Sequence, residues 1–136
     1  MCSWRLSIMA SELRVDTLKD ASGANSVGLS YVANGSAKAW GNLDGTGTIA
    51  IRDSFNISSA DDNGTGNYDF NYANSMSNDD YAPNESVSET SGFEGNLNRY
   101  PAIDGVSTSR IRFGATFSGS NYDVDELYVT IHGDLA

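Results

Sequence analysis

The chain is 136 residues long, enough for one domain or a domain with a tail, and 18 acidic against 8 basic residues give it a formal charge of −10. The few Lys and Arg residues are scattered, so no cluster exists to neutralise phosphates, which argues against nucleic acid as a partner. Cys2 is the single cysteine, so no intrachain disulfide can form, and the opening segment reads as too short to span a membrane and lacks the apolar run of a signal peptide.

Gly, Ser, Asn, Asp and Thr dominate, and no long stretch repeats apolar residues every three or four positions. A chain of this size buries only about two-thirds of its surface, so the core of one copy is expected to be thin and oligomerisation a reasonable expectation. Residues 1–8 read either as a start-site artefact, because "MASELRV" from Met9 resembles an ordinary protein start, or as a docking peptide anchored by Trp4. In "SELRVDTLKD", Ser11 could cap a helix, but Leu13, Val15 and Thr17 alternate with charged residues, which suits an exposed strand. "ASGANSVGLSYVANGSAK" has linker composition, too poor in large apolar side chains for a core. A boundary is expected near residue 37, dividing an arm and linker (1–37) from a main domain (38–136).

In "TIAIRDSFNI", Ile49, Ile51, Phe55 and Ile57 fall on one face, with Arg52, Ser54 and Asn56 on the other. "DDNGTG" is turn chemistry, and "NYDFNY" aligns Tyr68, Phe70 and Tyr72, so the two runs predict a hairpin. Pro83 confines any strand in "YAPNESVSET" to an edge, and "GFEGNLNRYPAIDGVS" reads as a long loop with short extended pieces. "SRIRFGATFS" sets Ile111, Phe113, Ala115 and Phe117 against Arg110 and Arg112. "ELYVTIHG" sets Leu127, Val129 and Ile131 against Tyr128, Thr130 and His132, and the two runs predict a second hairpin. Half-buried antiparallel strands without helices need a second sheet as cover, so the expected fold is all-β, an antiparallel β-sandwich of jelly-roll-like type with the N-terminal stretch outside it.

No constellation points to catalysis, and no metal or cofactor is expected. His132 is the only histidine and stands on the polar face of a strand. Asp61, Asp62 and Asn63 resemble a calcium loop only in composition, because Gly64 comes too soon for an EF-hand. Asp123, Asp125 and Glu126, like Glu85 and Glu89, read as solvated carboxylates, with nothing to set a buried acid against an exposed base. Tyr81, Phe93, Tyr100 and Tyr122 lie in predicted turns or loops among Asn, Asp and Ser residues. They either face a receptor or a neighbouring subunit, or plug the open ends of the sandwich.

"SELRVDTLKDASG" (residues 11–23) resembles the opening of bacteriophage tail fibre and tail appendage proteins, notably those of cyanophage and marine-phage type. "KAWGNLDGTGTIAIRDSFNISSADDNGTGNYDFNYANSM" (residues 38–76) is similar to a recurring module of the same proteins, in which Lys-Ala-Trp leads into a strand, a Gly-Thr-Gly-Thr turn and an Ile-Arg-Asp-Ser-Phe-Asn strand. The resemblance implies a structural component of the virion tail, usually a homotrimer, that adheres to the host surface, with a cell-surface glycan as receptor. Its partners would be other tail or baseplate proteins, and Leu13, Val15 and Leu18 would form the docking segment of an N-terminal attachment arm. The chain departs from the pattern in having almost no shaft and in carrying Gly41 where a more apolar residue is usual, which favours a short fibre or compact appendage. A capsid decoration (cement) protein is the alternative, and a stand-alone carbohydrate-binding module is a third reading. A glycan depolymerase is set aside because such enzymes need long solenoids and paired buried carboxylates.

Overall fold

The structure, a computed structural model, describes residues 14–88 and 99–136, with the backbone alone for Arg99 and Tyr100. The chain divides into two compact units, 1–33 and 34–136. In the first, β1 (Thr17–Lys19) pairs antiparallel with β2 (Ser26–Gly28), which leads into α1 (Leu29–Gly35), a helix that runs across the boundary. These elements lie partly in the stretch read as linker. The turn that makes them possible is centred on Asp20, whose carboxylate accepts hydrogen bonds from Ser22 Oγ (2.8 Å), Asn25 Nδ2 (2.7 Å) and Ala24 N (3.1 Å). Those bonds hold the exposed Asp20 carboxyl below its ordinary range, Ser22 contributing most. None of residues 14–33 is buried.

The second unit is an antiparallel β-sandwich, the fold class the sequence predicts. Its strands are β3 (Ala39–Asp44), β4 (Ala50–Phe55), β5 (Ile57–Asp62), β6 (Asn67–Tyr72), β7 (Ala82–Ser88), β8 (Arg99–Val106), β9 (Arg110–Phe117), β10 (Ser120–Asn121) and β11 (Glu126–His132). One sheet has the order β4-β3-β11-β7. In the other, β9 lies between β8 and β6, and β5 forms the far edge beyond β6. Ala115 donates to Gly66 O (2.8 Å) and accepts from Tyr122 N (3.0 Å), so β6 and β10 follow one another along the same edge of β9. The consecutive pairs β3–β4, β5–β6 and β8–β9 are hairpins within one sheet, a winding richer in hairpins than a jelly roll.

Alternation decides which side chains meet between the sheets. Ala39, Leu43, Leu127, Val129 and Ile131 come from one sheet, and Tyr68, Phe70, Tyr72, Ile111, Phe113 and Ala115 from the other, all buried in one cluster. Phe113 sits at its centre, with Phe70 edge-on at 5.0 Å and Tyr68 tilted at 6.3 Å between ring centroids.

Both predicted hairpins are re-partnered. Residues 49–57 are not one strand: Asn56 adopts a positive φ of 57°, and there the chain leaves β4 in one sheet for β5 in the other. The Asn56 side chain fixes the corner, accepting from Asn74 N (2.7 Å) and donating to Asn74 O (3.0 Å). The turn at 63–66 therefore joins β5, not β4, to β6. Likewise β9 turns back on the short β10, and β11 crosses to the opposite sheet, where β3 and β7 flank it. The stretch read as a long loop contains β8, which borders β9 from Arg99 to Val106 despite Pro101, a residue an edge strand tolerates. β7 is an edge strand, as Pro83 requires.

Candidate functional site

The outward face of the β4-β3-β11-β7 sheet gathers large rings that the core does not use. On β3, Ala39, Gly41 and Leu43 turn inward, which leaves Trp40, Asn42 and Asp44 outward. On β11, Leu127, Val129 and Ile131 are inward and Tyr128, Thr130 and His132 outward. On β4 a bulge opposite Asn42 and Leu43 inserts Arg52, so Ile51 meets Leu43 inside while Asp53 and Phe55 join the outer face.

Register then places two rows of four residues side by side. One runs Phe55, Trp40, Thr130, Asn84, and the next runs Asp53, Asn42, Tyr128, Ser86. Directly opposed residues have Cβ atoms roughly 5 Å apart and diagonal ones about 7–8 Å, so the rings of Phe55, Trp40 and Tyr128 form one patch. They are 52%, 38% and 38% exposed. Asn42 stands among them, and its Oδ1 is buried without a hydrogen-bond partner, an acceptor short of a donor. Asn84, Ser86 and Thr130 border the rings with amide and hydroxyl groups.

Arg52 closes one end. Its guanidinium bonds Asp44 Oδ2 (2.8 Å) and Asp125 O (3.1 Å) and lies 3.5 Å from Glu126 Oε1. The hydroxyl and amide of Thr46, with the Arg52 charge as a smaller contribution, hold the Asp44 carboxyl below its ordinary range. The face offers apolar ring surface, hydroxyls, amides and a few acceptors. That is equipment for stacking and hydrogen bonding.

The residues singled out from sequence are dispersed. Tyr81 is buried rather than receptor-facing: it packs edge-on against Tyr72 at 6.0 Å, with its hydroxyl 3.2 Å from the carbonyls of Ser107 and Arg110. It plugs the sandwich, and the apolar groups around it push its hydroxyl above the usual tyrosine range. Tyr122 is 39% exposed and tilted against Phe117 at 5.7 Å. Phe93 lies outside the described residues, and of Tyr100 only the backbone, in β8 opposite Thr116, is described. Leu13 also lies outside them, Val15 is half-buried, and Leu18 is exposed opposite Val27 in the β1–β2 hairpin.

His132 is half-buried on the outer face of β11, and among the described residues no three His, Cys, Asp or Glu side chains are grouped to hold a metal ion. The carboxylates at the end of β5 are engaged within the hairpin: Asp62 Oδ1 accepts from Gly64 N in the turn (2.9 Å) and Asp61 Oδ2 from Asn71 Nδ2 of β6 (2.8 Å). Asp123 is a structural acceptor, not a solvated carboxylate, taking Gly66 N at 2.6 Å with the Tyr68 hydroxyl 2.7 Å away.

Sequence reasoning missed the ring face, although Trp40 and Tyr128 each stand on the polar side of an alternating strand. That mismatch was the available signal. Phe55 gave none, because the bulge at Arg52 reverses its face. No family model, curated protein or solved structure matches this chain.

Proposed function

We propose that the chain is a structural component of a phage virion, a short tail fibre or tail appendage. Its N-terminal arm docks on other tail or baseplate proteins, and its β-sandwich adheres to a host-surface glycan, as a homotrimer. The virion assignment rests on the resemblance of residues 11–23 and 38–76. The adhesive role rests on one observation, the Phe55, Trp40 and Tyr128 rings exposed among Asn42, Asn84, Ser86 and Thr130. A pyranose presents a C–H face that stacks on such rings and hydroxyls that pair with such polar neighbours. A protein partner would favour a larger unbroken apolar patch, whereas here each ring has polar neighbours in its own row or the next.

A glycan array probed with the full chain and with Trp40→Ala tests the adhesive role, and labelled antibody on intact particles tests the location. Expected are binding to a set of host-type glycans, loss of about tenfold or more in affinity for Trp40→Ala with the oligomer intact, and label on the tail. Dissociation of the oligomer by Trp40→Ala would assign the rings to a subunit interface instead. Label on the capsid shell would favour a decoration protein.

A further inference from the structure

The opposite sheet carries a different feature on its outer side. Gly114 of β9 lies in one row with Asn67 of β6 and Ala102 of β8, and the missing side chain leaves a cleft of about 190 Å³. Its walls include Asn67, Asn121, Thr116, Asp104 and Ala102. At ~30 Å³ per water molecule the space equals about six waters, close to one sugar ring.

The cleft is rigid at one end. Gly66 forms part of it with a φ of +61°, and a Cβ there would stand 2.5 Å from Ala115 O and 2.7 Å from Tyr122 N, so only glycine fits. Its amide is pinned to Asp123 and its carbonyl to Ala115. The amide of Asn121 and the hydroxyl of Thr116 supply both donors and acceptors, Asp104 supplies acceptors, and Ala102 and Ile103 supply methyl surface.

Charge narrows the ligand class. Asp104 also lines an adjoining cleft of about 220 Å³ that includes Arg110 and Arg112. Both arginines bond Asp69, so two carboxylates balance two guanidiniums and the region is close to neutral. An anion gains nothing here from a chain of net charge −10.

We infer that the Gly114 cleft is a second binding site, for one neutral, hydroxyl-rich sugar unit held mainly by hydrogen bonds. The choice of ligand rests on the glycan-adhesion reading, while the cleft and the ring face lie on opposite outer faces of the sandwich and are separable by experiment. The test is amide chemical-shift mapping of the isotope-labelled full chain, with glucose, galactose, mannose and N-acetylglucosamine as neutral probes and glucuronic acid as an acidic one.

Millimolar binding by at least one neutral sugar is expected, with shifts concentrated on Gly66, Asn67, Gly114 and Asn121. The surface variants Asn121→Ala and Thr116→Val are expected to weaken it by up to about tenfold each, while Trp40→Ala leaves it unchanged. Shifts confined to Trp40, Asn42 and Tyr128 would overturn the cleft and leave the ring face standing. Cleft shifts without any response at the ring face would do the reverse. Stronger binding of glucuronic acid than of any neutral sugar overturns the assigned class, and no shift at the cleft with any probe overturns the site.

Discussion

Adding one carbon at Gly41 tests the packing that holds the two sheets together. Gly41 faces inward on β3, between Ser54 and Val129, and a Cβ there would lie 2.8 Å from Phe70 Cε2 and 2.9 Å from Cζ. Ordinary carbon contacts begin near 3.5 Å, so something must give by roughly 0.7 Å. Phe70 is fully buried and wedged edge-on against Phe113, so its ring has nowhere to swing. Overpacking of this kind costs about 1–3 kcal/mol. For a domain of this size that is a fall of roughly 4–20 °C in melting temperature. Thermal unfolding followed by circular dichroism, with urea midpoints at constant m-value, gives the measurement. Phe70→Leu supplies the control: it shortens the obstructing side chain, so the double variant should lose less than the two singles combined, with a coupling of about 0.5–3 kcal/mol. A melting temperature unmoved by Gly41→Ala, or two effects that simply add, refutes the close contact.

The remaining expectations concern charge and the sheet-switching corner. Asp69, 2% exposed, is held below the usual carboxylate range by hydrogen bonds from Arg112 (2.7 and 2.9 Å) and by Arg110. Its stabilisation is present above the unfolded value of 3.8 and is lost as pH falls through the lower folded value, so Asp69→Asn should cost about 1–3 kcal/mol at pH 7 and progressively less in acid, as melting curves against pH would show. Glu85 is the opposite case. It lies on the inner face of β7, burial raises its pKa, and its Oε2 has no partner. Its folded value lies above the unfolded 4.5, so its share of stability is complete below that pH and lost as pH rises; Glu85→Gln should raise the melting temperature at pH 7 and change little at pH 4. At Asn56, Ala should cost more than Gly by about 1–2 kcal/mol in urea unfolding, because Gly keeps the positive φ and loses only the bonds to Asn74. Equal losses would mean that the side-chain clasp alone holds the corner.

What the sequence revealed was faces, and what it concealed was partners. The alternation of Ile111, Phe113 and Ala115, or of Leu127, Val129 and Ile131, states which side is buried, and all six are buried. Alternation carries no information about the neighbouring strand, so nearness in the chain was taken for pairing. That reasoning joined β9 to β11, which lie in different sheets, and ran β4 into β5 across Asn56. Asn is among the few residues that accept a positive φ, so the corner was available as a hint, although a single Asn in an alternating run looks like an outward polar position. β8 was hidden by Pro101 and Gly105, which break the pattern without preventing an edge strand. Among the aromatics, turn composition drew attention to Tyr81, which the fold buries, whereas Trp40 and Phe55 became neighbours only through the β3–β4 register.

The two outer faces divide between self-sufficiency and availability. Around Asp69 the polar groups satisfy one another: Asn71 bonds Ser59 (3.0 Å) and Asp61 (2.8 Å), and Asp69 joins Arg110 to Arg112. A ligand approaching that lattice would have to break good bonds to make its own, so the net gain would be small. The Gly114 row is the place where the lattice lapses, because neither glycine nor Ala102 contributes a hydrogen-bonding side chain. On the other sheet the balance is reversed. Trp40, Phe55 and Tyr128 keep a third to a half of their surface in water, so apolar area is available to whatever lands there. Binding free energy is drawn from what folding leaves unsatisfied. By that criterion the ring face has the most to offer a ligand and the Gly114 cleft the next most, while the arginine lattice beside the cleft is spent on the sandwich itself.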